Sequence, residues 1–181
     1  MPLKELADRR NLIHRRSEAQ TVLAHALSDP LIGKTALVSS FGAESIVLLH
    51  MISLIDSSTP IIFLNTEMLF EQTLRYQREV TDYLNLTDVR VVSPTRESLI
   101  LHDVDNLLHQ AFLNKCCDLR KTRPLEIALQ EFGGWITGRK RYQNGQRAHL
   151  PLFEKQGGKI KINPLASWDT ARVNDYITTN N

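Results

Sequence analysis

The sequence predicts an α/β fold with a mainly parallel central sheet. Three observations carry that expectation. Short apolar runs alternate with stretches of helical spacing, the pattern of strands joined by crossover helices. The chain has 181 residues, enough for one substantial hydrophobic core and one domain over 1–181. A Ser- and Gly-rich turn follows the first apolar run, at the sheet edge where parallel α/β proteins bind ligands.

The elements follow in order. Residues 3–27 have amphipathic helical spacing and end near Asp29-Pro30. Residues 36–39 form a short apolar strand, and 45–54 a helix with Ile46, Leu49 and Ile52 roughly on one face. Residues 60–64 (PIIFL) read as a buried strand, 69–84 as a helix through Phe70, Leu74 and Val80, and 89–92 as a third strand. Residues 97–113 are expected to be helical. Pro124 is suited to the first turn of the next helix, which should stop near Gly133-Gly134. A further strand is expected at 135–137.

Composition excludes several classes. The formal net charge of +2 gives no global field for nucleic acid or a membrane surface, so an anion site must be local. No apolar run is long enough to span a bilayer, and the N-terminal MPLKELADRRNLIHRR lacks the apolar core of a secretory signal. There are two cysteines and no disulfide framework, which suits a reducing cytoplasm.

Those two cysteines, Cys116 and Cys117, are adjacent. Neighbouring Cα atoms lie about 3.8 Å apart, whereas a relaxed disulfide needs about 4.4 Å or more. A structural crosslink is therefore a poor account of them. Two adjacent thiolates can offer two ligands to a metal or cluster, although buried cysteines are also ordinary small apolar residues. Arg120 and Lys121 lie four residues beyond Cys116 and Cys117. On a helix each pair would share a face, placing positive charge by the thiolates.

Two further constellations suit an anion. Ser39-Ser40-Phe41-Gly42-Ala43-Glu44-Ser45 joins the first strand to its helix, with hydroxyl donors, a Gly and the N–H groups of a helix start. It lacks the GK[ST] ending of a Walker A loop, and a plain connection is its simpler explanation. Arg139, Lys140, Arg141 and Arg147 follow Trp135-Ile136-Thr137-Gly138, either as a solvated basic loop or as a clamp on phosphate or sulfate.

Together these segments resemble one family, the adenylyl-sulfate and phosphoadenylyl-sulfate reductases. SSFGAES is similar to that family's modified PP-loop. NKCCDLRKTRPLEIAL resembles the Cys-Cys-x-x-Arg-Lys-x-x-Pro-Leu segment of its cluster-containing branch. WITGRKRYQNGQR is similar to its Trp-Ile-Thr-Gly-x-x-Arg-x-Gln stretch, and KINPLASW to its Asn-Pro-Leu-x-x-Trp motif. The matches run in family order from about Ala36 to Ile177.

The resemblance implies an adenine-nucleotide α-hydrolase-like sandwich. It also implies thioredoxin-dependent reduction of 5′-adenylyl sulfate to sulfite and AMP, as in assimilatory sulfate reduction. By that resemblance Ser40 to Ser45 hold the phosphate end, and Phe63, Leu64 and Gly138 border the adenosine. Lys121, Arg141 and Arg147 face the phosphosulfate, and Cys116 and Cys117 supply half the ligands of a 4Fe-4S cluster. The Cys-Cys pair favours adenylyl sulfate over phosphoadenylyl sulfate. Thioredoxin or a similar dithiol protein is the expected partner, and a homo-oligomer stays open.

The sequence departs from the family pattern in two places. It reaches Thr178-Thr179-Asn180-Asn181 without the family's Glu-Cys-Gly-x-His tail or its Cys-x-x-Cys pair, so the expected nucleophile and half the cluster ligands are absent. Asn65-Thr66-Glu67 replaces the usual Asp-Thr-Gly after the second strand, which puts a bulky anion where Gly is expected and unsettles the contacts around Met68. Three alternatives stand: a phosphoadenylyl-sulfate reductase, another PP-loop enzyme that acts as an ATP pyrophosphatase, and a catalytically inactive nucleotide-binding module. Ser-Phe-Gly-Ala-Glu-Ser in place of Ser-Gly-Gly-x-Asp-Ser argues against the pyrophosphatase.

Overall fold

The computed structural model describes residues 1–141 and 149–180. Its centre is a six-stranded sheet of order β3-β2-β1-β4-β6-β5. The strands are β1 (Thr35–Ser39), β2 (Ile61–Leu64), β3 (Val89–Val92), β4 (Gly134–Ile136), β5 (Phe153–Gln156) and β6 (Lys159–Ile162). Every pairing is parallel except β5 with β6. The chain runs outward from β1 to β2 and β3, then returns to place β4 on the other side of β1. The strand order therefore reverses between β1 and β4, and that crevice is where such sheets take ligands.

Side chains alternate across the sheet as the pleat requires. Leu37, Ile61 and Phe63 face the larger core, with helices α1 (Leu3–His14), α2 (Ala19–Ser28), α3 (Ile46–Ile55) and α9 (Thr170–Thr179). Ala36 and Ile62 face a smaller one with Leu129, Phe132 and Trp135. Gly133 permits a close approach there: a Cβ on it would lie 1.9 Å from the Ile32 carbonyl oxygen. At the sheet edge the Asn11 amide donates to Phe153 O (2.7 Å) and accepts from Phe153 N (2.9 Å), so α1 satisfies backbone that a further strand would otherwise pair.

The expected strands and the helices before residue 92 are present, including α4 (Glu71–Tyr83). The stretch 97–113 is corrected. It is not one helix but α5 (Arg96–His102) and α6 (Leu108–Ala111), separated by an irregular turn. Asp103 leaves helical geometry there (φ −156, ψ 50), and its carboxylate accepts the Leu108 N–H at 2.8 Å. A buried pairing with Arg120 outweighs the local helical preference.

Helix α7 (Leu113–Cys117) runs through a π-helical turn (118–122) into α8 (Arg123–Ala128), with Pro124 in the first turn of α8 as expected. In that turn the Arg123 N–H bonds to Asp118 O, five residues back. Positions on either side of it fall out of the four-residue register. The β5–β6 hairpin turns on Gly157 and Gly158, with φ of 55° and 77°, values that favour glycine.

Candidate functional site

A cleft of about 590 Å³ opens over the carboxyl ends of β1, β2 and β4, at the point of strand-order reversal. Its apolar lining is Val38, Phe63, Leu64 and Leu69, and its charged lining is Glu44, Lys121, Arg139 and Lys140.

The floor is the loop after β1. Ser39 Oγ accepts the Phe41 N–H at 3.1 Å and helps turn the chain. Phe41 takes the left-handed conformation (φ 52), which is costly for a bulky residue. Its ring is buried and meets Phe63 edge-on, with centroids 5.4 Å apart, and this packing holds the strained turn. The Ser40 and Ser45 hydroxyls lie 3.2 Å apart. A single 3-10 turn (Ala43–Ser45) leads into α3, and no side chain caps either start. Hydroxyls and a helix start therefore converge, an arrangement suited to an anion.

The unusual dihedral belongs to Phe41. Gly42 has φ −72, and a Cβ on it would meet Ser40 Oγ at an ordinary 3.4 Å. The Phe41 side chain does not line the cleft; it supports the floor from below.

One wall carries Thr66 and Leu69, with Thr66 set in the turn Asn65-Thr66-Glu67. Glu67 has φ 58, the conformation for which a Gly at this position is suited, and its N–H bonds to Asn65 Oδ1 at 3.0 Å. The Met68 N–H reaches Thr66 Oγ1 at 3.4 Å, so the turn keeps its bonds despite the substitution. The wall is fixed from behind by Arg120. That guanidinium is 1% exposed and donates to Asp103 Oδ2 from Nε (3.0 Å) and Nη2 (2.5 Å), to Thr66 O (2.8 Å) and to Asn106 Oδ1 (2.8 Å). Burial works to raise the Asp103 carboxyl, but the Arg120 bonds, the Leu108 N–H and the Arg120 charge outweigh it. They hold Asp103 below the ordinary carboxylate range.

Arg120 is thus a strut, not the companion of a thiolate that its spacing from Cys116 suggested. Lys121, the next residue, is exposed and lines the cleft, with no hydrogen-bond or ion-pair partner among the described residues. Lys121 itself lies within the π-helical turn between α7 and α8.

The opposite lip follows β4. Gly138, Arg139 and Lys140 line the cleft. Thr137 Oγ1 donates to the buried Asn163 Oδ1 at 2.9 Å and fixes the start of this lip. Lys140 is buried and donates to Glu44 Oε2 at 2.6 Å. Arg141 turns away: its Nε donates to Leu150 O (2.9 Å), its N–H to Ala166 O (3.0 Å), and it is not part of the cleft lining. Arg147 lies outside the described residues.

Cys116 is buried and Cys117 half-buried on α7, both as free thiols, and neither lines the cleft. Their donor chemistry fits iron–sulfur ligation in kind. Among the described residues no group of three or more His, Cys, Asp or Glu side chains could hold a metal ion. The pair by itself offers two thiol donors. Also among the described residues, no helix is long and apolar enough to cross a membrane.

The structure brings together Ser39, Ser40, Gly42 to Ser45, Phe63, Leu64, Lys121 and Gly138 from the expected set. It adds Val38, Thr66 and Leu69, and it brings in Arg139 and Lys140 from the basic stretch. Thr66 and Leu69 follow the end of β2, so the strand-end rule could have found them. Lys140 sat in the basic stretch, but no local signal marked its pairing with Glu44, 96 residues away.

Comparison with known proteins places this geometry. The phosphoadenosine phosphosulfate reductase domain matches residues 34–181. The adenosine 5′-phosphosulfate reductase of Mesorhizobium japonicum is 47% identical over 142 residues, 78% of this chain and 56% of that protein. That of Chelativorans sp. is 43% identical over 148 residues, 82% of this chain and 60% of that protein. The chain thus spans less than two thirds of the length of these relatives. Among solved structures, a phosphoadenylyl-sulfate reductase from Candida auris in a phosphate complex aligns with a TM-score of 0.82 at 29% identity, covering 99% of this chain and 88% of that one. The fold is the adenine-nucleotide α-hydrolase-like sandwich with its modified PP-loop, and the chain belongs to the phosphoadenosine phosphosulfate reductase domain family.

Proposed function

We propose that this chain is the nucleotide-binding part of a thioredoxin-dependent adenylyl-sulfate reductase. The observation that carries the proposal is the cleft at the β1–β4 reversal, where a helix start and serine hydroxyls meet Lys121 and Arg139. In this reading the AMP phosphate sits at Ser40–Ser45 and the adenosine lies against Phe63, Leu64 and Gly138. The relatives named for adenosine 5′-phosphosulfate and the Cys116-Cys117 pair favour the substrate without a 3′-phosphate.

A thiolate attacks the sulfonate sulfur. A sulfur–sulfur bond forms as the bond to the phosphate oxygen breaks, and AMP leaves with the electron pair. Lys121 offsets charge gathering on that leaving phosphate. A dithiol protein such as thioredoxin then attacks the S-sulfocysteine and releases sulfite. In the family the attacking cysteine belongs to the Glu-Cys-Gly-x-His tail, which the sequence given does not include. Cys116 and Cys117 would hold two corners of a 4Fe-4S cluster, whose charge would add to the field near the substrate when bound. Both thiols are suited to the reducing cytoplasm.

Calorimetry with AMP tests the reading: one AMP should bind per chain, and 3′,5′-ADP should bind no tighter. A version carrying the family tail should release sulfite from adenylyl sulfate in preference to phosphoadenylyl sulfate. Pyrophosphate release from ATP would favour a pyrophosphatase instead.

A further inference from the structure

One pair in the cleft has no role in the chemistry above. Lys140 occupies one of the two variable positions of the Trp-Ile-Thr-Gly-x-x-Arg stretch, so the family resemblance assigns it nothing. Yet its side chain is only 2% exposed, whereas that of its partner Glu44 is 41% exposed. A lysine charge is rarely buried so deeply without a paired anion. Lys140 Nζ donates to Glu44 Oε2 at 2.6 Å and to Gly138 O at 3.3 Å. It therefore ties the loop after β1 to the end of β4, the two lips of the crevice.

The position of Glu44 makes the pairing consequential. It stands in the 3-10 turn that opens α3, beside the Ser40 and Ser45 hydroxyls, where a ligand phosphate would dock. An unscreened carboxylate at that point would repel the phosphate. We propose that Lys140 is a positioning residue that clasps Glu44 across the crevice and cancels its charge. The remaining cations of the lining, Lys121 and Arg139, then face a phosphate-bearing nucleotide. This inference rests on the nucleotide reading of the cleft.

The test is calorimetric titration of the full chain with AMP and, separately, with adenosine, which lacks the phosphate. Lys140→Met keeps the methylene stem but removes the charge. It should weaken AMP about tenfold and adenosine less than about twofold, because only the phosphate senses the loss of the Lys140 charge beside Glu44. Adding Glu44→Gln to Lys140→Met should recover most of that loss. Lys140→Arg, which retains the charge, should stay within about threefold of wild type. Glu44→Gln alone should tighten AMP by about threefold.

Equal losses of AMP and adenosine in Lys140→Met, or no recovery in the double variant, would reduce the pair to a strut and overturn the inference. Should Lys140→Met fail to fold, Glu44→Gln decides by itself, since weaker AMP binding there overturns the clasp. Wild-type chain that binds neither ligand removes the nucleotide reading. Wild-type chain that binds both while Lys140→Met is unchanged removes the clasp alone.

Discussion

Arg120 and Lys121 are neighbours in the chain and opposites in the fold. Arg120 is enclosed, with its donors spent on Asp103, Thr66 and Asn106, and it fixes one wall of the cleft from behind. Lys121 is exposed on the cleft face with no partner among the described residues. Arg120 holds the wall from behind, and Lys121 stands in the cleft lining. Two cations of similar spacing from the cysteines are thus placed differently, and the difference lies in the buried carboxylate of Asp103, which Arg120 alone of the two reaches.

The sharpest way to break this comparison is to neutralise both residues. Arg120→Met leaves Asp103 buried without its counter-charge and should cost about 3–5 kcal/mol in urea denaturation. Lys121→Met should cost less than about 0.5 kcal/mol while weakening binding of the anionic substrate. Similar stability losses in the two variants would end the distinction between the strut and the exposed lining residue.

Phe41→Ala is the next largest. Removing the ring from its contact with Phe63 should cost about 3 kcal/mol, read by thermal or chemical denaturation. AMP affinity should fall with it, because the ring holds the strained floor. A loss confined to stability would show that the floor keeps its shape unaided.

Glu67→Gly works in the opposite direction. Glu67 is exposed and left-handed, so glycine relieves backbone strain of about 1 kcal/mol, less the entropy glycine adds to the unfolded chain. A small rise in melting temperature is expected, and a fall would mean that the carboxylate earns its place by a contact.

The last prediction concerns acid. Asp103 is held below its unfolded-state value, so its stabilisation is complete above about pH 4 and is lost as pH falls through the lower folded-state value. Denaturation midpoints of wild type should therefore drop on the acid side. In Arg120→Met the carboxyl loses its main stabilising partner, and this part of the acid dependence should shrink or reverse. An unchanged profile would separate Asp103 from Arg120.

Much of this molecule was legible in the sequence. Strands β1 to β4 are short apolar runs that need no tertiary information, and the loop from Ser39 to Ser45 is contiguous, so its place at a strand end followed directly; β5 (FEKQ) and β6 (KIKI) carry too many charges to stand out and were not expected. The rest depends on pairings that local pattern does not carry. Asp103 breaks an otherwise helical stretch because Arg120, 17 residues later, captures its carboxylate. The π-helical turn at 118–122 interrupts the α-helical register, and spacing arithmetic on the sequence has no term for it. Arg141 looked like an anion clamp by composition, but the Leu150 carbonyl takes its Nε.

The Asn11–Phe153 bracket has a consequence for the birth of the protein. The two residues are 142 positions apart, and α1 rests mainly on β5 and β6. At a ribosomal rate of about 5–20 residues per second, the docking surface follows the helix by about 7–30 seconds. Through that interval Leu6 and Ala7, buried in the finished fold, have no sheet edge to cover them. Helix α1 is thus made well before the strand that seats it, and the nascent chain carries its apolar stripe uncovered until β5 emerges.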